Sequence, residues 1–467
     1  MRTNQDKFKH TIEKTFGFRL NLNQTKDILR LFHEIKTRDK INDQQIINKL
    51  KTDFIIENSS GRNKFVNIKR DLINMRFPLT SQDQEFDPAK IFLAELKPAL
   101  SEAHPKSSVF IPERIFIEKQ AKNSYLAKRF AEEFPTTPIT EINNSLEYVK
   151  SNQFQLKDLK KPIVFIVQEK WDFIKPCPCT KNHIGCNYWI FNLGFGCPYD
   201  CSYCFLQQYT NFPGIVLPAN LDDFFEKFAD FYKKINRPIR IGTGEFCDSL
   251  ALDHITGYAQ KLIEFFQDKP VYFELKTKSN NIANILKLNP SRNIVISWSL
   301  NPESIVKSEE LLTANLEQRL AAALAVQEKG FSLGFHFDPV IYSADWEKLY
   351  KPVIDLLYAK VKPPFSWISI GSLRGTRKLK NSAELRFPES NIFYGELFLG
   401  EDKKLRYPKF IRKQIYEKML QWIRGYDQKT PVYLCMEDAD CWNLINNNLN
   451  SSKKVEQYLL RIGKLKL

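Results

Sequence analysis

The feature that most constrains this chain is a regular alternation of strand-like and helix-like segments that begins near residue 188. Short apolar runs predict six strands, and segments with helical periodicity, such as residues 221–235 and 316–329, separate them. The predicted strands lie at residues 188–193, 239–242, 271–275, 294–298, 332–337 and 367–370. Six successive βα units favour a parallel sheet that curves on itself. The sequence therefore predicts an α/β fold built on a partial (β/α)6 TIM-like barrel.

Four segments are predicted along the 467 residues. Residues 1–105 carry apolar positions at helical spacing and are predicted to form an all-helical N-terminal domain that binds nucleic acid or a partner. Residues 106–185 are predicted to form a small α/β lead-in region. We assign residues 186–375 to the barrel core and residues 376–467 to a C-terminal extension that completes the barrel.

Composition and charge indicate the setting of the protein. No apolar run reaches membrane-spanning length, and the first thirty residues lack the apolar core of a secretory signal, so a cytoplasmic protein without membrane contact is expected. In that reducing compartment, nine cysteines predict metal binding or catalysis rather than disulfides. A formal net charge of +15 is compatible with DNA or RNA as a partner, although solvated surface charge is the alternative.

Three cysteines, Cys197, Cys201 and Cys204, have CxxxCxxC spacing. Three thiolates on one short loop can hold three irons of a [4Fe-4S] cube and leave the fourth iron open to a substrate or cofactor. Zinc is the alternative, but a structural zinc site needs a fourth ligand. A strand-like run before the motif, and the turn glycines Gly194 and Gly196, favour the iron–sulfur cluster.

Polar residues follow several of the later predicted strands. They occur at residues 242–245, 276–278, 297–301 and 336–338. Because the carboxyl ends of barrel strands meet at one face, these groups and the cysteine loop are expected to share the barrel mouth.

At the cysteine motif and at several of the strand ends, the chain resembles the radical S-adenosylmethionine (SAM) enzymes and, among them, the spore photoproduct lyase family. The resemblance is most specific at residues 196–207 and continues at 219–223, 277–278 and 299–301; the segment before residue 105 lies outside it. It implies a [4Fe-4S] cluster on the three motif cysteines and SAM at the open iron. Reductive cleavage of SAM would then give a 5′-deoxyadenosyl radical that abstracts hydrogen from a substrate. An external one-electron reductant such as flavodoxin or ferredoxin would supply the electron.

The resemblance also implies roles for other residues. Tyr203 would border SAM, and the strand-end residues Lys278, Ser299 and Asn301 would contact it. The segment after the second strand would offer backbone and a carboxylate to the SAM ammonium group. The residues of that segment are Gly242, Gly244 and Glu245.

Two positions depart from the family pattern. The family has tyrosine on both sides of the third cluster cysteine, whereas this chain has Tyr203 before it and Phe205 after it. Glu245 stands where the family's hydrogen-donating cysteine is expected, and Cys247 follows two residues later. Cys247 is therefore either a relocated hydrogen donor that acts with Tyr203 or a packed thiol beside SAM.

These departures leave three functions open. The first is a radical SAM enzyme, similar to spore photoproduct lyase, that acts on a DNA lesion or a modified base. The second is a radical SAM enzyme with a small-molecule, peptide or protein substrate. The third is a non-enzymatic iron–sulfur or zinc protein that binds nucleic acid.

Five further cysteines lie outside the motif. They either hold an auxiliary cluster or zinc ion, or are structural thiols. These residues are Cys177, Cys179, Cys186, Cys435 and Cys441.

Overall fold

The computed structural model describes most of the chain in two compact units. The first comprises Met1–Glu95 and Asn391–Phe398, and the second comprises Leu96–Ser390 and Leu399–Leu467. The described residues are 4–53, 61–76, 110–152, 162–170, 173–180, 183–208, 213–387, 390–393, 395, 397–400, 402–446 and 448–460. The predicted boundary at residue 105 lies outside them, and the division into four segments stays a prediction.

The described residues at the amino-terminal end of the first unit are mostly helical, as the sequence predicts for this part of the chain. Its helices are α1 Asn4–Phe16, α2 Leu22–Asp39, α3 Asp43–Asp53 and α4 Gly61–Arg76. Helix α2 begins with a capping box, in which Asn21 and Gln24 each accept a hydrogen bond from the other's backbone N–H. Apolar residues at helical spacing, such as Ile28, Phe32 and Ile46, form the buried core of the unit.

The remaining helices alternate with strands. In chain order they are α5 Tyr125–Glu133, α6 Ser145–Ser151, α7 Leu221–Ile235, α8 Asp253–Thr256, α9 Tyr258–Phe266, α10 Glu303–Glu309, α11 Leu316–Lys329, α12 Trp346–Lys360, α13 Arg377–Arg386, α14 Lys409–Tyr426, α15 Ala439–Trp442 and α16 Ser452–Leu460. Within the described residues, no helix combines the length and apolar character that a membrane span requires.

Within the described part of the chain, the strands form two main sheets and two small ones. They are β1 Arg114–Glu118, β2 Ile139–Ile142, β3 Ile163–Val167, β4 Ile174–Pro176, β5 Trp189–Phe191, β6 Asp200–Cys201, β7 Ile215–Pro218, β8 Ile239–Gly242, β9 Val271–Thr277, β10 Ile294–Ser299, β11 Glu310–Leu311, β12 Ser332–Val340, β13 Trp367–Ser372, β14 Arg374–Thr376, β15 Phe398–Leu399, β16 Lys404–Arg406 and β17 Val432–Leu434.

The larger sheet is the predicted partial barrel. Its strand order is β17-β13-β12-β10-β9-β8-β5-β4. All neighbours run parallel except the edge pair β4 and β5. The six predicted strands correspond to β5, β8, β9, β10, β12 and β13, and β17 extends the same sheet. Helices cover the sheet, so strands such as β10 and β13 are buried along their whole length, and their sequences are nearly continuous apolar runs.

The sheet curls around a polar interior. Arg240 on β8 places its guanidinium carbon 5.2 Å from the Tyr188 ring, 4.1 Å from the Trp367 ring and 5.0 Å from the Tyr433 ring. Ile184, just before β5, forms an isolated antiparallel bridge with Glu437, just after β17. The line along which these two ends of the curled sheet meet is called the seam below.

A smaller parallel sheet, in the order β2-β1-β3-β7, precedes and flanks the barrel. Its core includes the stacked rings of Phe116 and Phe165, whose centroids lie 4.8 Å apart. The Phe195–Val216 bridge ties this sheet to the segment that enters the cysteine motif.

Candidate active site

The three motif cysteines lie on one loop at the barrel mouth, residues 197–204, called the cluster loop. Its strand β6 pairs antiparallel with β11, so Cys201 stands opposite Glu310. The chain enters the loop through Gly196, which has a φ of 92° and where a Cβ would lie 2.8 Å from the Gly214 carbonyl oxygen. Glycine is therefore required at the turn that brings the first thiol into place.

The thiols of the cluster loop lie close to one another. Burial raises the pKa of Cys197, and neighbouring charges that include Cys201 and Cys204 raise it further, so the three sulfurs are close enough to interact. A cube binds each of three thiolates through a different iron, so three thiols on one short loop can hold such a cluster.

A buried carboxylate, Glu310, connects the cluster loop to the barrel. The Tyr203 hydroxyl donates a hydrogen bond to Glu310 Oε1, and Asn301 Nδ2 donates to the same oxygen at 2.9 Å. The other carboxylate oxygen lies 2.6 Å from Arg319 Nη2. Glu310 and Arg319 are 1% and 0% exposed, so this ion pair is shielded from water and fixes the position of Tyr203.

Two buried cations, Arg319 and Lys278, interact with Glu310, and Lys278 also interacts with a motif thiol. Burial alone would raise the pKa of Glu310, but Arg319 and Lys278 outweigh it and lower that pKa to about 2. Burial would lower the pKa of Lys278, whereas Glu310 and Cys201 raise it. The Lys278 ammonium lies 5.7 Å from the centre of the Tyr203 ring. Lys278 is thus a cation that can balance thiolate charge on the cluster loop.

A second set of polar contacts fixes Asp200 and Ser202 of the cluster loop. Ser202 donates its backbone N–H to the Glu309 carbonyl at 2.8 Å and its hydroxyl to the Glu309 carboxylate. Gln207 Nε2 donates to the Ser202 carbonyl at 2.7 Å, and Arg386 joins Gln207 to Asp200 through contacts of 2.9 and 2.6 Å. The loop is therefore held by side chains from three other elements.

The loop after β8, residues 243–249 and called the β8 loop, is organised by Asp248. One carboxylate oxygen accepts the Thr277 hydroxyl at 2.6 Å and two backbone N–H groups of the next turn at 3.0 and 2.9 Å. The other accepts the Lys278 backbone N–H at 2.7 Å. The β8 loop contacts the entry to the cluster loop, because Gly196, the residue before that loop, donates its N–H to the Phe246 carbonyl at 2.9 Å. Residues predicted to bind the cluster and SAM therefore lie on adjoining loops.

The glycines of the predicted SAM-binding segment leave bare backbone in this region. At Gly242 a Cβ would lie 2.0 Å from the Tyr188 hydroxyl and 2.4 Å from the Glu274 carbonyl oxygen. At Gly244 a Cβ would lie 2.7 Å from the Cβ of Lys276. Both positions are therefore too tightly packed for a larger residue.

Burial raises the pKa of two side chains of the β8 loop, Cys247 and Glu245, and only Glu245 has cations that oppose the shift. Cys247 Sγ lies 3.6 Å from the Thr243 carbonyl oxygen, and burial raises the pKa of its thiol to about 12. At neutral pH Cys247 therefore keeps its S–H bond. Burial also raises the pKa of Glu245, although Lys276 and Arg374 oppose the shift.

The remaining predicted residues lie near the Glu310 network. The Ser299 carbonyl, at the end of β10, accepts from Arg319 Nη1 at 2.9 Å. Asn301 Oδ1 accepts the Tyr350 hydroxyl at 2.7 Å. Phe205 begins a 3-10 turn and faces Phe246, with ring centroids 6.2 Å apart. No hydroxyl is present at position 205 to continue a path from Tyr203.

The sequence interpretation missed Glu310, Arg319 and Asp248. Glu310 follows another glutamate at the end of α10, where a solvated pair is the ordinary expectation. Arg319 carried a readable signal, since it lies on the apolar face of α11 between Leu316 and Leu320, where a charged residue needs a buried partner.

Four of the five remaining cysteines lie together at the seam. The hydrogen bond with Cys179 raises the pKa of Cys177, and burial and the charge of Cys186 add to the shift. Burial raises the pKa of Cys435, and the charges of Cys179 and Cys186 contribute to the rise. These four sulfurs are therefore close enough to influence one another.

Cys441 belongs to a different group, in which its sulfur and oxygens of Glu437 and Asp438 lie within 4.8 Å of one another. Glu437 accepts a hydrogen bond from the Tyr416 hydroxyl at 2.6 Å and pairs with Arg412. Asp438 caps α15 through the Cys441 N–H at 3.0 Å. These bonds satisfy the carboxylates without an ion.

A curled parallel sheet with three motif thiols at its mouth is the arrangement of the radical SAM enzymes. Comparison with known proteins identifies the family. A sequence model of spore photoproduct lyase matches residues 110–423. This chain belongs to the spore photoproduct lyase family. The family consists of radical SAM enzymes, which use a [4Fe-4S] cluster and SAM, and the chain is one of them.

The chain is also similar to individual lyases. It is 26% identical to the spore photoproduct lyase of Clostridium acetobutylicum over 316 residues, which are 65% of this chain and 90% of the relative. It is 24% identical to the Bacillus subtilis enzyme over 323 residues, which are 66% and 91% of the two chains.

Solved structures show the same fold. A spore photoproduct lyase variant with bound AdoMet and dinucleoside spore photoproduct superposes with a TM-score of 0.61 at 22% identity, over 70% of this chain and 99% of that one. A lyase complexed with dinucleoside spore photoproduct gives the same TM-score and identity and is covered in full. The family match begins at residue 110, after the helices of the first unit.

Proposed function

We propose that this enzyme uses the 5′-deoxyadenosyl radical to act on a lesion or modified base in DNA. The observation that carries the proposal is the match of nearly the whole length of the lyases to this chain, with the cluster-loop thiols at the barrel mouth. A net charge of +15 is consistent with a DNA substrate. Two of the superposing lyase structures contain dinucleoside spore photoproduct.

The residues take the following roles in this proposal. Cys197, Cys201 and Cys204 hold three irons of the cluster and leave the fourth open. When bound at that iron and reduced, SAM supplies a 5′-deoxyadenosyl radical that can abstract hydrogen. Lys278 balances negative charge on the thiolates, and Asp248 orients the β8 loop against them.

The β8 loop and its neighbours bind SAM. The backbone at Gly242 and Gly244 offers hydrogen-bonding groups where no side chain fits, and Glu245 supplies a carboxylate for the SAM ammonium. Ser299 and Asn301 complete the pocket from the end of β10. Cytoplasmic location and reduction by flavodoxin or ferredoxin belong to the same proposal.

Cys247 returns the hydrogen atom in this scheme. Its thiol keeps the S–H bond at neutral pH, and homolysis of that bond transfers one hydrogen atom to the substrate radical and leaves a thiyl radical on Sγ. In this scheme Tyr203, held by Glu310, gives its hydroxyl hydrogen atom to the thiyl radical, since position 205 is phenylalanine. The Cys247 S–H bond is restored, and the external one-electron reductant and a proton from solvent return the tyrosyl radical to tyrosine.

The test is anaerobic turnover by the full-length chain with SAM, dithionite and dinucleoside spore photoproduct. We expect 5′-deoxyadenosine together with repaired thymines, and deuterium transfer from labelled substrate into the adenosine. SAM cleavage without loss of the photoproduct, combined with no salt-dependent binding to DNA, would overturn the DNA proposal.

Cys247→Ala tests hydrogen return separately. SAM cleavage should persist while the repaired product gives way to by-products of an unquenched substrate radical. Unchanged turnover and product identity would exclude Cys247 as the donor. Cys441→Ala is the matched control, because it removes a buried thiol that lies outside the proposed site.

A further inference from the structure

Four cysteines from three separate segments converge at the seam of the barrel. Cys177 and Cys179 follow the edge strand β4, Cys186 precedes β5, and Cys435 follows β17. None of them belongs to the cluster loop, and the proposed reaction uses none of them. Their convergence therefore needs an explanation of its own.

Backbone contacts bring the first three thiols together. Cys177 donates its N–H to the Tyr188 carbonyl at 2.8 Å, which continues the β4–β5 ladder by one residue. The chain then turns back, since the Cys179 N–H donates to the Cys177 carbonyl at 2.7 Å. Cys179 Sγ comes to lie 3.4 Å from where a Cβ of Gly185 would be, immediately before Cys186.

The register of the seam brings the fourth thiol to the other three. Ile184 and Glu437 form an antiparallel bridge, and the Ile184 N–H donates to the Glu437 carbonyl at 3.1 Å. Cys186 lies two residues after Ile184 and Cys435 two residues before Glu437, so the bridge brings the segments that carry these two thiols next to each other.

Cationic side chains surround these sulfurs. Arg374 Nη2 lies 3.3 Å from Cys435 Sγ while the same guanidinium pairs with Asp338 at 2.8 and 2.9 Å. Arg240, buried in the barrel interior, is a hydrogen-bond partner of Cys186. Several buried thiolates on one metal centre carry negative charge, and guanidinium groups at the sulfurs stabilise such charge.

The arrangement favours a metal centre over simple packing. Packed structural thiols need neither convergence from three segments nor a guanidinium aimed at the sulfur. Four thiolates can hold either a cube or a single zinc ion, so the metal content of the variants below separates the two.

We propose that Cys177, Cys179, Cys186 and Cys435 ligate a second [4Fe-4S] cluster at the seam. Four protein thiolates leave no open iron, so this cluster cannot bind SAM as the cluster-loop iron does. It joins the edge strand β4, the start of β5 and the end of β17. It therefore closes the gap between the two ends of the curled sheet.

Iron analysis of a variant that lacks the cluster-loop thiols tests this proposal directly. C197A/C201A/C204A, reconstituted anaerobically in the full chain, should retain about four irons and four sulfides, and the wild type about eight of each. Adding Cys186→Ala and Cys435→Ala should reduce the iron of the triple variant to background. Adding Cys441→Ala instead should leave about four, since that buried thiol lies outside the seam.

The outcome is independent of the DNA proposal. C186A/C435A in an otherwise wild-type chain should keep about four irons, whose spectrum changes when SAM is added. A triple variant without iron, or with one zinc in its place, would overturn the second cluster. So would a wild-type chain that binds only about four irons. A failure to repair DNA would leave all of these counts unchanged.

Discussion

The cluster loop and the β8 loop adjoin each other at the barrel mouth but are held in different ways. The cluster loop is fixed by buried side chains, above all the Glu310–Arg319 pair and the Tyr203 hydroxyl. The β8 loop depends on close backbone packing and on one carboxylate, Asp248. The cluster loop carries the proposed cluster ligands, whereas the β8 loop carries the departures, Glu245 and Cys247. Substitutions on the two loops therefore test cluster binding and the proposed role of Cys247 separately.

The largest effect is expected at the centre of the cluster loop. Cys201→Ala removes one of three cluster ligands, and we expect SAM cleavage to fall below detection with loss of the cluster-loop iron. Iron analysis and chromatography of 5′-deoxyadenosine measure both. Cys441→Ala should retain both, and ordinary SAM cleavage by Cys201→Ala would disprove the assignment of the cluster.

The second prediction compares the loss of stability when each of the two carboxylates that hold the loops, Glu310 and Asp248, is replaced. Glu310→Gln leaves Arg319 buried without its counter-charge, so the free energy of unfolding should fall by about 3–5 kcal/mol. Asp248→Asn keeps one acceptor oxygen and should cost about 1–3 kcal/mol. Denaturant unfolding followed by tryptophan fluorescence measures the two. Equal losses would contradict the contrast between the loops.

The Glu310–Arg319 ion pair predicts that the stability of the folded chain depends on pH. The pKa of Glu310 is about 2 in the folded chain, against an ordinary value of 4.5. On acidification the unfolded chain binds this proton first, so the contribution of Glu310 is complete above about pH 5 and declines as the pH falls towards 2. The difference in unfolding free energy between wild type and Glu310→Gln should shrink over that interval. A difference that stays constant would show that Glu310 titrates normally.

The smallest effect is expected at a glycine of β8. Gly242→Ala forces a Cβ against the Tyr188 hydroxyl and the Glu274 carbonyl, and we expect a loss of about 1–3 kcal/mol in the free energy of unfolding. Gly425→Ala is the matched control, because nothing lies within 4 Å of its Cβ position in α14. That control should gain about 0.5–1 kcal/mol from helix propensity. Equal changes at both sites would refute the steric argument.

The barrel could be predicted because its signals are local. Strands β8 and β10 are short apolar runs, α7 and α11 have helical periodicity, and the cysteine motif lies within eight residues. Each of these is visible in a single stretch of sequence.

The Glu310 network and the seam could not be predicted for the opposite reason. The β6–β11 pairing joins Cys201 to Glu310, and the seam joins Ile184 to Glu437, across long separations in sequence. Two-residue strands carry too little periodicity to indicate a partner. Only the folded sheet shows which of the remaining cysteines meet, and it separates Cys441 from the other four.

The composition of the first unit has a consequence for synthesis of the chain. Segment Asn391–Phe398 belongs to this unit, and the fully buried Arg76 pairs with Glu34 and donates to the Gly395 carbonyl at 3.2 Å. The ribosome must add roughly 300 residues after the first helices before that segment emerges, which takes on the order of 15–60 s at ordinary elongation rates. These helices are thus translated well before the segment that completes their unit.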